Sequence, residues 1–418
     1  MRKYIRGINF IAGSTTWKEC VLILSSLFSG RDIVNGNCIT HYEEEFKHYL
    51  GAQHAISFGA GRMAFYAILK ALDIKEGDEV ILPGYTCVVV PDAVIYCGAK
   101  PVYIDIDPDT LNIDISKIEG TITPRTKVIY AQHTFGSFCN VDAIMEIARK
   151  YNLKVIEDCG QALGAEYDGK KLGTFGDAAY FTTEQSKTIS TGMGGMAVTN
   201  DKEIAARIRT IQTNTEFYDK KTIQKISLQI VLFNFLYHPL IHFIGKYILY
   251  VLSRLNYFIQ STTEEEMRGE RPVKYPARLS NLQAKVGLSQ FKNINQNLEH
   301  RRKIATLYEE SLEKLNYKIP KKNDSLYKPA YIRYWLIAND REKLKRLFQS
   351  RGIALGEWFN CPIHPKGTSL KNVFYEVGSC PVAEYITEHN VNLPVHPKIS
   401  TKDAQRVITV LRDYASKR

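Results

Sequence analysis

No Cys-x-x-Cys pair occurs in the chain, which leaves neither a zinc ribbon nor a thioredoxin-like redox motif. The eight cysteines stand singly, at 20, 38, 87, 97, 139, 159, 361 and 380, several within apolar stretches such as Val94-Ile95-Tyr96-Cys97. That is the pattern of free thiols in a reducing compartment. Repeats with a period of about 20–50 residues are also missing, which excludes solenoids and propellers. With 27 glycines and 15 prolines in 418 residues, collagen-like and low-complexity chains are excluded as well. The N-terminus, Met1-Arg2-Lys3, leads into no apolar run with a small-residue cleavage site. The expectation is therefore no signal peptide and a cytoplasmic protein. Acids are outnumbered, giving a net charge of +11 that suits anionic company. The basic runs Arg301-Arg302-Lys303 and Lys321-Lys322 lack interleaved aromatics and read as solvated faces, so no nucleic-acid partner is expected.

What is present is an ordinary globular balance, 44% hydrophobic and 24% charged, in a chain long enough for two domains. From Gly51 to about Thr199, short apolar runs alternate with helical periodicity. Val80-Ile81-Leu82, Val102-Tyr103-Ile104, Val128-Ile129-Tyr130 and Val155-Ile156 read as buried strands, with crossover helices such as Val141 to Tyr151 between them. This repetition predicts an α/β fold with a parallel sheet covered on both faces. Residues 282–316 have long helical periodicity, and the tail from about 328 mixes short strands (Tyr331–Ile337) with helices (Thr401–Tyr414). The organisation expected is an N-terminal segment 1–35, a large domain 36–300 and a small α+β domain 301–418.

The candidate chemistry lies at strand ends. Val155-Ile156-Glu157-Asp158-Cys159-Gly160-Gln161 places an acid at the carboxyl end of a buried strand, where open α/β sheets build their sites. Tyr180-Phe181-Thr182-Thr183-Glu184-Gln185-Ser186-Lys187 is a second strand end running into hydroxyls and a lysine, followed by the glycine-rich Thr191-Gly192-Met193-Gly194-Gly195. Phe58-Gly59-Ala60-Gly61-Arg62 precedes the helical run Met63–Leu72, a small-residue turn whose amides suit a phosphate. An acid, a lysine, a hydroxyl and a phosphate-cradling helix start are what pyridoxal phosphate requires: the lysine for its aldehyde, the acid for its ring nitrogen.

In order and context, these blocks resemble the DegT/DnrJ/EryC1/StrS family of sugar aminotransferases, of the aspartate-aminotransferase fold (fold type I). The likeness runs from about Gly36 to Thr215 and resumes from about Arg278. Its matching stretches include Gly77 to Pro83, Gly98 to Val102 leading to Asp105-Ile106-Asp107, and His133-Thr134-Phe135-Gly136. Arg278 to Ala284 and Leu393-Pro394-Val395-His396-Pro397 also match. The resemblance implies a fold type I transferase with a mostly parallel central sheet and a smaller C-terminal α+β domain. It implies that Lys187 binds the cofactor and moves the proton between the donor Cα and C4′, with Asp158 as the pyridinium partner. Gln161 would lie close to the cofactor, and Thr182 would bind phosphate where the family usually has Ser. A lysine at 187 disfavours the family's dehydratase and regulatory branches.

Four positions depart from the family pattern. Ala60-Gly61-Arg62 replaces a Ser-Gly-Thr turn, Cys87 replaces a stacking aromatic, Gly192-Met193-Gly194-Gly195 replaces Gly-Glu-Gly-Gly, and Pro276 stands where Asn reaches the neighbouring subunit's phosphate. The guanidinium of Arg62 is expected to offset these losses at the phosphate, beside Gly61. The resemblance further implies a keto-sugar substrate, nucleotide-activated, with glutamate as amino donor, and a homodimer in which Tyr275 to Arg278 crosses to the partner. A lipid-linked or non-sugar keto substrate is the alternative, and a non-catalytic scaffold a third reading that the retained Asp158 and Lys187 oppose.

Residues 223–258 do not fit the pattern. From Ile226 to Gly245 there is no Asp, Glu, Lys or Arg, yet Ser227, Gln229, Asn234, His238 and His242 are too polar for an easy membrane span. Pro239 divides the segment into two expected helices, Ile223–Tyr237 and Leu240–Phe258. Flanking lysines and aromatics near the ends predict an in-plane anchor against the inner face of the membrane, with a buried helical pair or a dimer interface as the alternative. His238 and His242 have zinc-like spacing but no further ligands around them, so no metal is expected.

Overall fold

The computed structural model describes residues 7–10, 13–30, 32–238, 241–255, 257–320 and 326–416, without the side chains of 242, 243 and 246. Pro239, the first residue of the second expected insertion helix (Leu240), and the Lys321-Lys322 run lie outside the described residues, as do Met1-Arg2-Lys3 and the side chain of His242.

Seven strands form the central sheet: β1 (His54–Phe58), β2 (Glu79–Pro83), β3 (Lys100–Ile104), β4 (Thr126–Gln132), β5 (Lys154–Asp158), β6 (Ala178–Thr182) and β7 (Gly195–Thr199). Their order is β1-β7-β6-β5-β4-β2-β3. Every pairing from β3 to β6 is parallel, while β7 runs antiparallel to both β6 and β1. The parallel run follows from the sequence. Val80, Leu82, Val128, Tyr130 and Ile156 are buried on one side, Ile81, Ile129 and Val155 on the other. A strand apolar on both faces is stable only when helices cover both. The reversal at β7 is the exception in the mostly parallel sheet that the resemblance implies. The link from Thr182 to Gly195 contains no helix, so the chain turns back beside β6.

Helix α2 (Gly61–Ala71) buries nine of its eleven residues against the sheet, and α3 (Val89–Ile95) and α4 (Val141–Tyr151) cover the next crossovers. The long periodic stretch after Ser280 is two helices, α7 (Asn281–Phe291) and α8 (Ile294–Glu313), with Ser280 capping the first. A second apolar core joins α8, α9 (Thr401–Ala415) and the antiparallel pair β8 (Tyr334–Ile337) and β9 (Asn390–Leu393).

The insertion forms α5 (Lys220–Leu236) and α6 (His242–Arg254), which differ in their surroundings. Helix α5 packs into the fold: Ile223 meets Ile33 and Leu282, and Ile230 meets Val286 and Ile23 of α1 (Trp17–Phe28). Its polar groups are spent internally, with the Gln229 side chain bonded to the Ile259 backbone and Asn234 Oδ1 accepting from Lys398 Nζ at 2.7 Å. Helix α6 lies outside it, with Ile244, Tyr247, Tyr250 and Leu255 exposed. Among the described residues, no helix is long and apolar enough to cross a membrane.

Candidate active site

Parallel register brings Gln132, Asp158 and Tyr180 side by side at the carboxyl end of the sheet, and a cavity of about 520 Å³ opens there. Asp158 is buried and fixed at both oxygens. Oδ1 accepts from the Gly160 amide at 2.7 Å and Oδ2 from the Tyr130 hydroxyl at 2.6 Å, which in turn shares a 2.6 Å bond with Tyr180. A carboxylate held this way keeps its direction. The two tyrosines escaped the sequence reading, although Tyr180 stands at the end of a recognised strand run.

Lys187 is buried on the same cavity, its Nζ 4.9 Å from the centroid of Trp358. Burial pulls the ammonium's pKa below the usual lysine value, and the charge of Arg333 adds to this while Glu184 opposes it. The amine is thereby made easier to hold neutral and nucleophilic. Its loop is clasped by the N-terminal segment, Ser14 Oγ donating to the Lys187 carbonyl at 3.1 Å. Gln161 borders the cavity and accepts the Phe135 amide at 3.1 Å.

Gly61 opens α2 with no side chain capping it, so the first amides of the helix are left for a ligand. Only glycine fits here, since a Cβ at Gly61 would stand 2.6 Å from Thr182 Cβ. The half-buried Thr182 hydroxyl, which lines the same end of the cavity, is 3.3 Å from the Gly194 carbonyl. Arg62 lines it too, but its Nε is ion-paired with buried Glu266 and its Nη1 donates to the Ser261 carbonyl at 2.8 Å. Burial disfavours this guanidinium's charge, and Glu266 more than offsets that, holding its pKa above the usual arginine value. Part of Arg62 is thus committed within the chain, which the sequence reading did not foresee. Cys87 borders the cavity as a thiol pushed up to about 11 by burial.

The far wall is built from segments remote in sequence: Phe10, Phe233 and Tyr237 of α5 with its neighbour, Ser261, Arg333 and Trp358. Sequence reasoning missed all of these. Arg333 had one usable signal, a lone charge at the lip of the apolar run Tyr334-Trp335-Leu336-Ile337. Of the stretch 275–278, Tyr275 and Ala277 are buried in their own chain, with Pro276 half-buried between them. The buried trio His133, Glu157 and Cys159 has metal-like spacing, but His133 and Glu157 are already engaged within the chain. His133 Nδ1 accepts the Cys139 amide, and Glu157 accepts from Gly173, Phe175 and Gly176 as well as bonding His133. His238 is exposed.

The residues present fit pyridoxal phosphate: an oriented carboxylate for its ring nitrogen, a buried amine for its aldehyde, and an uncapped helix start with a hydroxyl for its phosphate. Comparison with known proteins points the same way. The chain is 31% identical over 384 residues to a GDP-perosamine synthase of Caulobacter vibrioides, covering 90% of each chain. It is 28% identical to a UDP-N-acetyl-3-dehydro-alpha-D-glucosamine 3-aminotransferase of Acidithiobacillus ferrooxidans, covering 94% and 93%. Among solved structures, that of S. venezuelae DesV in complex with a ketimine intermediate superposes with a TM-score of 0.75 at 26% identity, covering 96% and 94%. The model of the DegT/DnrJ/EryC1/StrS aminotransferase family matches residues 18–238 and 246–412. That match takes in all of α5 and resumes within α6, so the insertion interrupts the family pattern less than its composition suggests. With nearly the whole chain matched, this protein belongs to the DegT/DnrJ/EryC1/StrS aminotransferase family.

Proposed function

We propose that the chain transfers the amino group of an amino acid, glutamate in this reading, to the ketone of a nucleotide-activated keto-deoxy sugar. The product would serve cell-surface polysaccharide or natural-product sugar synthesis. The observation that carries the reading is the meeting of Lys187 and Asp158 in one buried cavity, with pyridoxal 5′-phosphate as the expected cofactor. The names of its relatives support the substrate class, since they include a GDP-perosamine synthase and a dTDP-3-amino-3,6-dideoxy-alpha-D-galactopyranose transaminase.

When bound, the cofactor supplies an aldehyde that exchanges for an amine and a ring that withdraws electrons. Asp158 would face the ring nitrogen, and the Tyr130 hydroxyl holds that carboxylate in place. Lys187, eased toward its neutral form by burial, takes the proton from the donor Cα and returns it on the acceptor half. The first amides of α2 at Gly61, the Thr182 hydroxyl and the cavity side of Arg62 bind phosphate, with Gln161 beside the ring. Lys187→Ala is expected to abolish transamination and the visible absorbance of the bound cofactor while leaving the fold intact. Turnover within tenfold of wild type would sink the assignment.

In its fuller form the proposal is a cytoplasmic homodimer with the domain limits read from the sequence. Light scattering tests the dimer, which a monomer with full turnover would refute. Within segment 223–258, α5 packs into the fold, and it is the exposed α6 that holds the enzyme at the inner face of the membrane. The exposure of α6 and the absence of acids from Lys220 to Thr263 support that contact.

A further inference from the structure

Arg333 enters the cavity immediately before β8, and only 6% of it is exposed. Its guanidinium lies flat on Trp358, with Cζ 3.3 Å from the ring centroid and 4.9 Å from that of Phe10. Among the described residues it has no hydrogen bond and no ion pair. The nearest acid on the cavity wall, Glu184, is engaged elsewhere, its Oε2 accepting from the Ser186 amide at 3.0 Å and hydroxyl at 2.7 Å. Behind Arg333, the buried Arg301 gives its own protons to the carbonyls of Tyr331 and Ile332, adding positive charge rather than cancelling it. Burial pushes the Arg333 guanidinium down to about 9; the charge of Glu184 opposes this without pairing with it, and Arg301 adds a smaller push downward.

A buried cation without an anion is costly, and two flat rings satisfy only its faces. Its edge, a planar fork of N–H groups, remains free, and that fork matches a carboxylate. Lys187 and Arg333 touch the same indole, so the two cations stand within reach of one small molecule. An α-amino acid carries its amine and its carboxylate on one carbon. In a sugar nucleotide the anionic diphosphate is separated from the ring ketone by several bonds. The end of the cavity suited to the cofactor's phosphate is formed by Gly61, Thr182 and Arg62, on other elements.

We infer that Arg333 is the reader of the amino donor's α-carboxylate, gripping it edge-on while Trp358 and Phe10 hold the guanidinium flat. This rests on the transamination reading above and adds the residue that selects the donor. It predicts a preference for α-amino acids over amines that lack the α-carboxylate.

The test uses the full-length enzyme loaded with cofactor and compares wild type with Arg333→Met and Arg333→Lys. The half-reaction with donor alone is followed by the cofactor's absorbance, with L-glutamate and with 4-aminobutyrate, which is glutamate without its α-carboxylate. In Arg333→Met the glutamate concentration for half-maximal rate should rise at least tenfold, and the preference for glutamate should shrink by a similar factor. The KM for the keto-sugar nucleotide should stay within threefold and the thermal midpoint should not fall, because the variant removes an unanswered buried charge. Arg333→Lys, which keeps the charge but not the fork, should fold and lie between. A raised sugar-nucleotide KM with an unchanged glutamate response would overturn the inference in favour of a diphosphate site. Misfolding of both variants, or a fall in stability with donor preference intact, would reduce Arg333 to a packing residue. Wild type that holds its cofactor but reacts with no α-amino acid would defeat the transamination reading itself, and this inference with it.

Discussion

Three ionisable side chains share a buried corner behind the cavity, and their charges do not sum to zero by pairing alone. Arg62 is answered by Glu266, leaving Asp92 on α3, which is 1% exposed and makes no ion pair among the described residues. Burial drives the Asp92 carboxyl up to about 9, and the nearby charge of Glu266 adds to the effect. Asp92 is therefore protonated at neutral pH, and the corner carries one positive and one negative charge. The consequence for stability has a definite sign. An unfolded aspartate releases its proton near pH 4 and the folded one near pH 9, so between these values the folded chain holds a proton the unfolded chain has lost. Stability contributed by this group accordingly falls as pH rises across the window, by up to about 1.4 kcal/mol per unit. Asp92→Asn, which keeps the shape and needs no proton, should raise the thermal midpoint relative to wild type, with a larger gain at pH 8 than at pH 5. Denaturation scans at the two pH values would read this, and a gain that is flat or reversed would contradict the protonated state.

Between elements, the glycine-rich loop depends closely on α5. Gly192 has φ +79°, and a Cβ there would stand 2.7 Å from Ile226 Cγ2 and 3.1 Å from Ile230 Cδ1. Gly192→Ala therefore combines a left-handed backbone with a steric clash, and is expected to cost about 2 kcal/mol or more. Ile226→Ala removes the clashing methyl, so the double variant should lose less than the sum of the singles in chemical denaturation; strict additivity would deny the contact. This coupling was not legible in the sequence, where 192 and 226 belong to unrelated patterns. What was legible rests on local periodicity. Val128-Ile129-Tyr130 and Val155-Ile156 are apolar on both faces and became neighbouring parallel strands, and the run from Val141 became α4 behind an Asn140 cap. Asp158, Thr182 and Gly61 could be placed at the cavity because each sits at the end of such an element, and Lys187 because it follows β6 within one loop. Arg333, Trp358 and Phe10 could not, because their approach to Lys187 depends on how β8, a loop and the N-terminal segment pack. The direction of β7 was not legible for a related reason: no periodicity distinguishes a returning strand from the next parallel one.

At the scale of the whole molecule, two helices distant in sequence present one outward apolar face. Helix α1 exposes Trp17, Val21 and Phe28, the last at 87%, and α6 exposes Ile244, Tyr247 and Leu255 at 66–70%. The two are linked through α5, since Trp17 meets Phe235 edge-on at 6.2 Å, and Gly245 lies against the Leu236 carbonyl where a Cβ would collide. A large exposed apolar surface marks an interaction site, and charge indicates for what. From Lys220 to Thr263 there is no Asp or Glu, while Lys220, Lys221, Lys225, Lys246 and Arg254 are all basic. Two copies meeting through this face would bring like charges together, whereas an anionic lipid surface answers them. Tyrosine and tryptophan at its rim suit the water–lipid boundary. Wild type is expected to sediment with vesicles containing phosphatidylserine, weakly or not at all with neutral phosphatidylcholine vesicles, and less as salt is raised. Changing Ile244, Tyr247 and Leu255 together to serine should release the protein from vesicles without altering cofactor absorbance, because none of the three lines the cavity. If wild type stays in the supernatant with both kinds of vesicle, and the triple variant instead lowers the molecular mass seen by light scattering, the face joins copies of the chain and the membrane contact is refuted.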